Sequence, residues 1–275
     1  MPQSIRFAKL SATGNDFILV DNRHRLFRGD EQELFHRLCR RRVAIGADGI
    51  LLIEHSKQRL AHFTMRYFNR DGRESEMCGN GARACAYYAV HHGLAPAEMR
   101  FEVSGDLYEA AVSGSNVRLR MQKPRDLRLL PGIVEEKNMA EGGFVNTGVP
   151  HYVLFVAAVE SVEVATIGLA YRRHPAFQPA GTNVNFVATA GPSKIQMRTY
   201  ERGVEEETLA CGTGAVAAAI FAHLQQGMPF PIDVITRGGD LRVYGDPTLA
   251  QLQLEGRVRL VYQGYFRLED FSEDF

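Results

Sequence analysis

The sequence predicts an α+β fold of two pseudo-symmetric halves, each a mixed, curled β-sheet around one central helix. Three observations carry this. Cys78-Gly79-Asn80-Gly81-Ala82-Arg83-Ala84-Cys85-Ala86-Tyr87-Tyr88-Ala89 aligns with Cys211–Ala222, identical at seven of twelve positions and 133 residues apart. The same separation relates Tyr67 to Tyr200 and Asn69 to Arg202, and a separation of 134 relates Thr13-Gly14 to Thr147-Gly148 and Gly105-Asp106-Leu107 to Gly239-Asp240-Leu241. Repeated matches near one offset indicate a duplicated unit. The remaining observation is that short β-patterned runs, broken by turn residues, surround a single Ala-rich stretch in each half.

In the first half, Ile5–Phe7 and Phe17–Val20 read as strands around Thr13-Gly14-Asn15. Glu31–Arg42 carries Leu34, Phe35 and Leu38 at helical spacing. Ile50–Ile53 and Phe63–Phe68 read as strands, and Ala82–His92 as a helix opening at the Cys-Gly-Asn-Gly turn. Met99–Val103, Tyr108–Val112 and Val117–Met121 are strands separated by Ser-Gly turns. The second half repeats the pattern: strands at Phe144–Asn146, His151–Val156, Val184–Ala188 and Ile195–Glu201, a helix at Ala215–Gln226, then strands near Val234, Leu241–Tyr244, Leu249–Leu254 and Val258–Tyr262. Pro124–Gly132 reads as a linker, and Tyr262–Leu268 as a strand returning to the first half. The expected halves are 1–123, joined by 263–275, and 124–262. Glu269–Phe275 reads as a disordered acidic end.

Composition narrows the function. The 275 residues include 32 Lys+Arg and 32 Asp+Glu, so there is no basic excess to neutralise phosphates, and a nucleic-acid partner is not expected. The longest apolar runs, Val153–Val159 and Ala215–Ala222, are far short of the roughly 20 residues a bilayer span needs, so no membrane partner is expected. The opening residues lack the apolar core of a secretory signal, which points to the cytoplasm and to four free thiols. Cysteines and histidines show no metal-ligand spacing, and no metal is expected.

Cys-Gly-x-Gly at a helix start has a specific chemistry. The first helical N–H groups lack internal partners, and the macrodipole places partial positive charge there. A thiol at that point is shifted toward thiolate, and glycines leave N–H groups open to an anion. Two copies related by duplication would point both helix ends at one cleft. One thiolate could then take a proton from a carbon while the other thiol delivers one to the opposite face, with the helix ends stabilising the carbanion-like transition state. No lysine signature for pyridoxal phosphate and no nucleotide loop is evident, so no cofactor is expected.

The residues resemble the diaminopimelate epimerase family. The resemblance rests on Ala12-Thr13-Gly14-Asn15-Asp16-Phe17, Phe68-Asn69-Arg70-Asp71-Gly72 leading to Glu76-Met77-Cys78-Gly79-Asn80-Gly81-Ala82-Arg83, Pro150-His151, Tyr200-Glu201-Arg202-Gly203 and Ala210-Cys211-Gly212-Thr213-Gly214-Ala215. It implies a homodimeric enzyme of the two-domain epimerase fold that interconverts LL- and meso-diaminopimelate in lysine and peptidoglycan precursor synthesis. It implies Cys78 and Cys211 as the acid–base pair, with Gly79, Asn80, Gly212 and Thr213 holding the reacting end of a small amino-acid substrate. Asn15, Asn69, Asn183, Glu201 and Arg202 would contact substrate, and His151 and Glu201 would tune the thiols. Independently, Arg202 is a fork suited to a carboxylate, and asparagines can serve both ammonium and carboxylate.

Two positions depart from the family's commonest pattern: Gly49 stands where many members have Gln, and Val149 where many have Asn. The alternative is another two-cysteine racemase, of the proline or hydroxyproline type, although such enzymes typically carry His where Asn80 stands. Cys39 and Cys85, within helical patterns, read as packed thiols, and Arg40-Arg41-Arg42 as a solvated helix end.

Overall fold

The computed structural model of the protein describes residues 4–75, 77–130 and 142–271. The chain divides into two compact units, Met1–Leu119 with Gly256–Phe275, and Arg120–Glu255.

The first unit opens with β1 (Ser4–Ala12) and β2 (Asn15–Asp21), an antiparallel hairpin turning over Thr13 and Gly14, at φ 42° and 89°. Then come α1 (Gln32–Cys39), β3 (Gly49–Glu54), β4 (Thr64–Asn69), β5 (Glu74–Ser75), α2 (Gly79–His91), β6 (Glu98–Val103), β7 (Asp106–Ser113) and β8 (Asn116–Arg120). β2 and β3 pair in parallel, as do β4 and β6; the other pairs are antiparallel. Strand pleating separates two layers. Ile18, Val20, Ile50, Leu52 and Phe68 pack on Phe35 and Leu38 of α1. The other face carries Leu51 and Met65, which lie against Gly81 of α2. α2 is buried along most of its length, from Asn80 to Ala86 and again at Tyr88 and Ala89; its small residues let strands surround it.

The second unit contains β9 (Arg125–Leu129), β10 (Gly142–Asn146), β11 (Pro150–Phe155), α3 (Val164–Arg172), β12 (Asn183–Gly191), β13 (Lys194–Glu201), β14 (Glu206–Thr208), α4 (Gly212–Gln226), β15 (Ile232–Thr236) and β16 (Gly239–Tyr244). β11 and β12 pair in parallel, as do β13 and β15, repeating the first unit's pattern. α4 packs with Val145, Val153, Val187, Ile195 and Met197. On the opposite face, Tyr152, Tyr171, Val184, Phe186 and Tyr200 form a separate cluster under α3. The chain ends with β17 (Gln253–Arg267), paired with β1 and β8, so the first unit's sheet closes on itself.

Several expectations change. β9 occupies most of the stretch read as a linker, pairing with β10; residues 131 and 132 lie outside the described residues, as do 272–275 of the expected tail. α3 had no sequence signal: Gly168 and its β-branched residues weaken the helical pattern, yet a Cβ at Gly168 would press on the Tyr200 side chain, 2.5 Å from its Cβ and 2.7 Å from its ring, so glycine is what admits the helix. The segments read as separate strands around Gly256 and Gly264 are one 15-residue strand, bulged where Lys9 and Leu10 face it. Helix α1 stops at Cys39, and Arg41 pairs with Asp16 and Asp48 instead of extending a solvated helix end.

The duplication also needs a register correction. Phe17 pairs with Gly49, and His151 with Asn183, an offset of 134. Gly49 faces Asn69, and Val184 faces Tyr200, which sets Asn183 against Glu201. The equivalents in β13 are therefore Phe68 with Tyr200 and Asn69 with Glu201. Pairing Tyr67 with Tyr200 and Asn69 with Arg202 is one residue out, and a one-residue slip exchanges the two faces of a strand.

Candidate active site

Within the first unit the thiol of Cys78 is the N-cap of α2. Its extended backbone (φ −131°, ψ 112°) turns the sulfur back to accept the Gly81 N–H at 3.4 Å. The first intrahelical bond is Ala82 N–H to Cys78 O, so the N–H groups of Gly79 and Asn80 precede the ladder. A Cβ at Gly79 would meet nothing within 4 Å, which leaves open space in front of them.

Asn80 and Asn15 are held in a chain. Arg83 Nη2 donates to Asn80 Oδ1 (2.6 Å) and Thr13 Oγ1 (3.1 Å). Asn80 Nδ2 donates to Thr13 O (3.3 Å) and Asn15 Oδ1 (2.7 Å), and Asn15 Nδ2 to Asp48 Oδ2 (3.1 Å). Burial raises the Asp48 carboxyl pKa, but hydrogen bonds from Asn15, Arg41, the Asp16 N–H and Arg70 outweigh it and hold the carboxyl below its usual range. The Asn80 side chain therefore orients Asn15, and its backbone N–H is what remains for an anion.

Arg83 was not singled out from sequence. It is fully buried, and among the described residues its Nε and Nη1 have no hydrogen-bond partner. Burial pulls the guanidinium down to about 10, against an opposing pull from Cys78, so it remains a cation at neutral pH close to the motif thiol. Gly49 is explained by its neighbour: a Cβ there would run into the Phe68 carbonyl and the Tyr67 ring. Tyr67 shares the Asn69 face of β4 and leans edge-on to Phe17 at 6.1 Å. Asn69, at the end of β4, is exposed.

The second unit surrounds Cys211 differently. Cys211 again precedes its helix in an extended conformation (φ −123°, ψ 116°), and the first intrahelical bond runs from Ala215 N–H to its carbonyl, leaving the N–H groups of Gly212 and Thr213 ahead of the ladder. Its sulfur lies 3.5 Å from Thr213 Oγ1. His151 Nε2 is 2.8 Å from the same hydroxyl. Glu201 is hydrogen-bonded to Cys211 and, at 2.6 Å, to the Thr208 hydroxyl; burial raises its pKa, and these two bonds partly offset the rise. Glu201 thus bonds the Cys211 thiol directly, and His151 reaches it through the Thr213 hydroxyl. Asn183 accepts the Arg202 N–H (2.8 Å) and donates to Pro150 O (3.1 Å). The Arg202 guanidinium donates to Ala180 O at 2.7 Å and makes no ion pair among the described residues. Val149, in the Asn146–Pro150 turn, sits where the repeat places Asn15, so the second unit has no amide side chain there. The other thiols are packed: burial pushes Cys39 up to about 12 and Cys85 well above its ordinary value.

The buried His151 makes stability pH-dependent. Burial, aided by the Arg202 charge, lowers it from 6.5 to about 3. The unfolded chain binds a proton near pH 6.5 that the folded chain refuses until about pH 3, so this contribution is complete above 6.5 and lost as pH falls. At pH 4.5 the loss from this group is on the order of 3 kcal/mol. Urea unfolding at pH 7 and 4.5 should show that difference shrinking by about this amount in His151→Gln; an equal difference in both proteins would place His151 outside the acid response.

Solved structures define the class by fold. The chain aligns with a phenazine biosynthesis protein of the PhzF family from Enterococcus faecalis (TM-score 0.76, 16% identity, 97% of this chain and 100% of that one). It also aligns with a hydroxyproline epimerase from Agrobacterium vitis (TM-score 0.68, 15% identity, 98% and 95%). These likenesses place the chain in a fold that both proteins share. Within that class the sequence is specific. The diaminopimelate epimerase family profile matches residues 7–125 and 143–249. Diaminopimelate epimerases of Aquifex aeolicus (39% identity, 94% of this chain, 97% of the relative) and Hydrogenobaculum sp. (37%, 96% and 99%) match almost end to end. The chain belongs to the diaminopimelate epimerase family.

Proposed function

We propose that the protein epimerises LL-2,6-diaminopimelate to meso-diaminopimelate without a cofactor, using Cys78 and Cys211 as an acid–base pair on opposite faces of one α-carbon. The observation that carries this reading is that each unit opens its enclosed helix on a thiol, with two backbone N–H groups ahead of the helical ladder. One thiolate takes the α-proton, the other thiol gives its proton to the opposite face, and the roles exchange in reverse. The N–H groups of Gly79, Asn80, Gly212 and Thr213 bind the reacting carboxylate, and the two helix dipoles stabilise charge developing beside it. Asn15, Asn69, Asn183, Glu201 and Arg202 position the substrate, and His151 and Glu201 set the state of Cys211. Such a step serves lysine and peptidoglycan precursor synthesis in the cytoplasm.

Deuterium incorporation at Cα from D₂O tests the reading over a panel of diaminopimelate isomers, proline and hydroxyproline. Exchange is expected with the diaminopimelates alone; exchange with proline alone would overturn it. A homodimer is supported by Leu260, Val261, Tyr262 and Tyr265, four large apolar side chains exposed within six residues of β17 that a second chain could cover. Light scattering on the same sample should read two chains, and a single-chain mass would remove this part.

A further inference from the structure

A directional hydrogen-bond chain runs to the Cys211 sulfur from a residue that no part of the reading above uses. Asn185 is fully buried in β12. Its Nδ2 faces the Tyr152 carbonyl at 3.1 Å and can only donate to it, and its Oδ1 accepts the Thr199 hydroxyl at 3.0 Å. The amide orientation is thereby fixed. The same Nδ2 lies 3.1 Å from His151 Nδ1, which must accept, so the ring proton sits on Nε2 and is donated to Thr213 Oγ1 at 2.8 Å. With that oxygen accepting from His151, the Thr213 hydroxyl proton is free to point at Cys211 Sγ, 3.5 Å away.

We propose that Asn185 is a positioning residue for Cys211: it holds neutral His151 in the one tautomer that turns the Thr213 hydroxyl onto the sulfur. This deepens the proposed function and rests on Cys211 being one of its two thiols. In the cycle Cys211 must exist in both protonation states. As a thiol it can donate to Glu201; as a thiolate it needs a donor, and Thr213 supplies one. The charged and titratable groups facing this chain among the described residues are Glu201 and Arg202. Burial, and after it the Arg202 charge, disfavours a second proton on His151, which keeps the imidazole neutral and the chain directional.

The chain is not demanded by the fold. At the equivalent positions the first unit has Phe17 for His151, Leu51 for Asn185 and Asn80 for Thr213, and Cys78 accepts instead from the Gly81 N–H. The second unit also makes room for it: a Cβ at Gly214 would overlap Asn185 Oδ1.

The test is the pH dependence of iodoacetamide alkylation, with peptide mapping to separate Cys78 from Cys211, in the full-length protein without substrate. Asn185→Asp keeps the size and removes the donor. Thr199→Val removes only the hydroxyl that orients the amide, and decides the matter if the first variant does not fold. In each, the Cys211 midpoint should rise by roughly half a pH unit or more while that of Cys78 stays put. Thr213→Val should give the same rise, and Thr199→Val with Thr213→Val no further rise, because both cut one chain. Where the unaltered enzyme turns over diaminopimelate, kcat should fall about tenfold in Thr199→Val with KM nearly constant. An unmoved Cys211 midpoint in a folded variant, equal movement of both thiols, or additive shifts would overturn the proposal. Inactivity of the unaltered enzyme would instead count against the activity reading, since alkylation is read without turnover.

Discussion

Cys78→Ala and Cys211→Ala each lose epimerisation by a factor of about 10²–10⁴ or more, the usual contribution of one general acid or base. Each thiol serves one face, so neither substitutes for the other. Stability changes are expected to be small and of different origin. Cys78→Ala removes a sulfur that caps Gly81 N–H, a loss of about 1 kcal/mol on the scale of helix caps. Cys211→Ala instead withdraws a partner from Glu201 and from Thr213. Cys→Ser variants keep the shape but hold the proton more tightly, and should recover little activity. Circular dichroism shows whether the variants are folded, and turnover of LL- and meso-diaminopimelate is followed in both directions. Substantial turnover in both directions by either alanine variant would end the two-thiol assignment.

The sequence carried the fold where periodicity and punctuation were strong. The hairpin over Thr13-Gly14, the β3–β4 pair and the two Ala-rich helices follow from alternation and turn chemistry, and both helices open earlier than their apolar pattern suggests, at Gly79 and Gly212. α3 was invisible because its helix depends on tertiary contact at Gly168 and Tyr200. β17 was cut at glycines that the sheet tolerates: Phe7 lies 3.0 Å from where a Gly264 Cβ would stand.

The candidate site divides along the same line. Cys-Gly-x-Gly is local, and local patterns survive in sequence. The residues that orient its side chains are distant in the chain: Asp48 reaches Asn15 across 32 intervening residues, and Asn185 reaches His151 across 33. The repeat could have pointed to them, since Asn183 and Asn185 alternate on the face that carries Glu201. That inference needed the strand register, and the Tyr67–Tyr200 identity suggested the wrong one. Gly49 illustrates the same dependence. Read alone it is a lost polar side chain; in the sheet it is the space that lets the Tyr67 ring cross from β4 toward Phe17.

Arg202→Met lowers kcat/KM for diaminopimelate by about 10- to 150-fold, the equivalent of losing roughly 1.5–3 kcal/mol of charged hydrogen bonding. The guanidinium has one anchor, Ala180 O at 2.7 Å, and no carboxylate among the described residues, so its remaining donors can take a substrate carboxylate. Methionine keeps the reach of the side chain, and the backbone N–H to Asn183 is untouched. Most of the loss should therefore fall on KM, with the thiol chemistry intact. Arg202→Lys restores charge but not the planar fork, and should recover only part. The control is α-proton exchange on an amino acid with a single carboxylate. If Arg202 binds the distal carboxylate, that exchange is slow in the unaltered enzyme and changes little in the variant. Equal losses on the two substrates would instead mark Arg202 as a structural tie between Ala180 and the turn after β13.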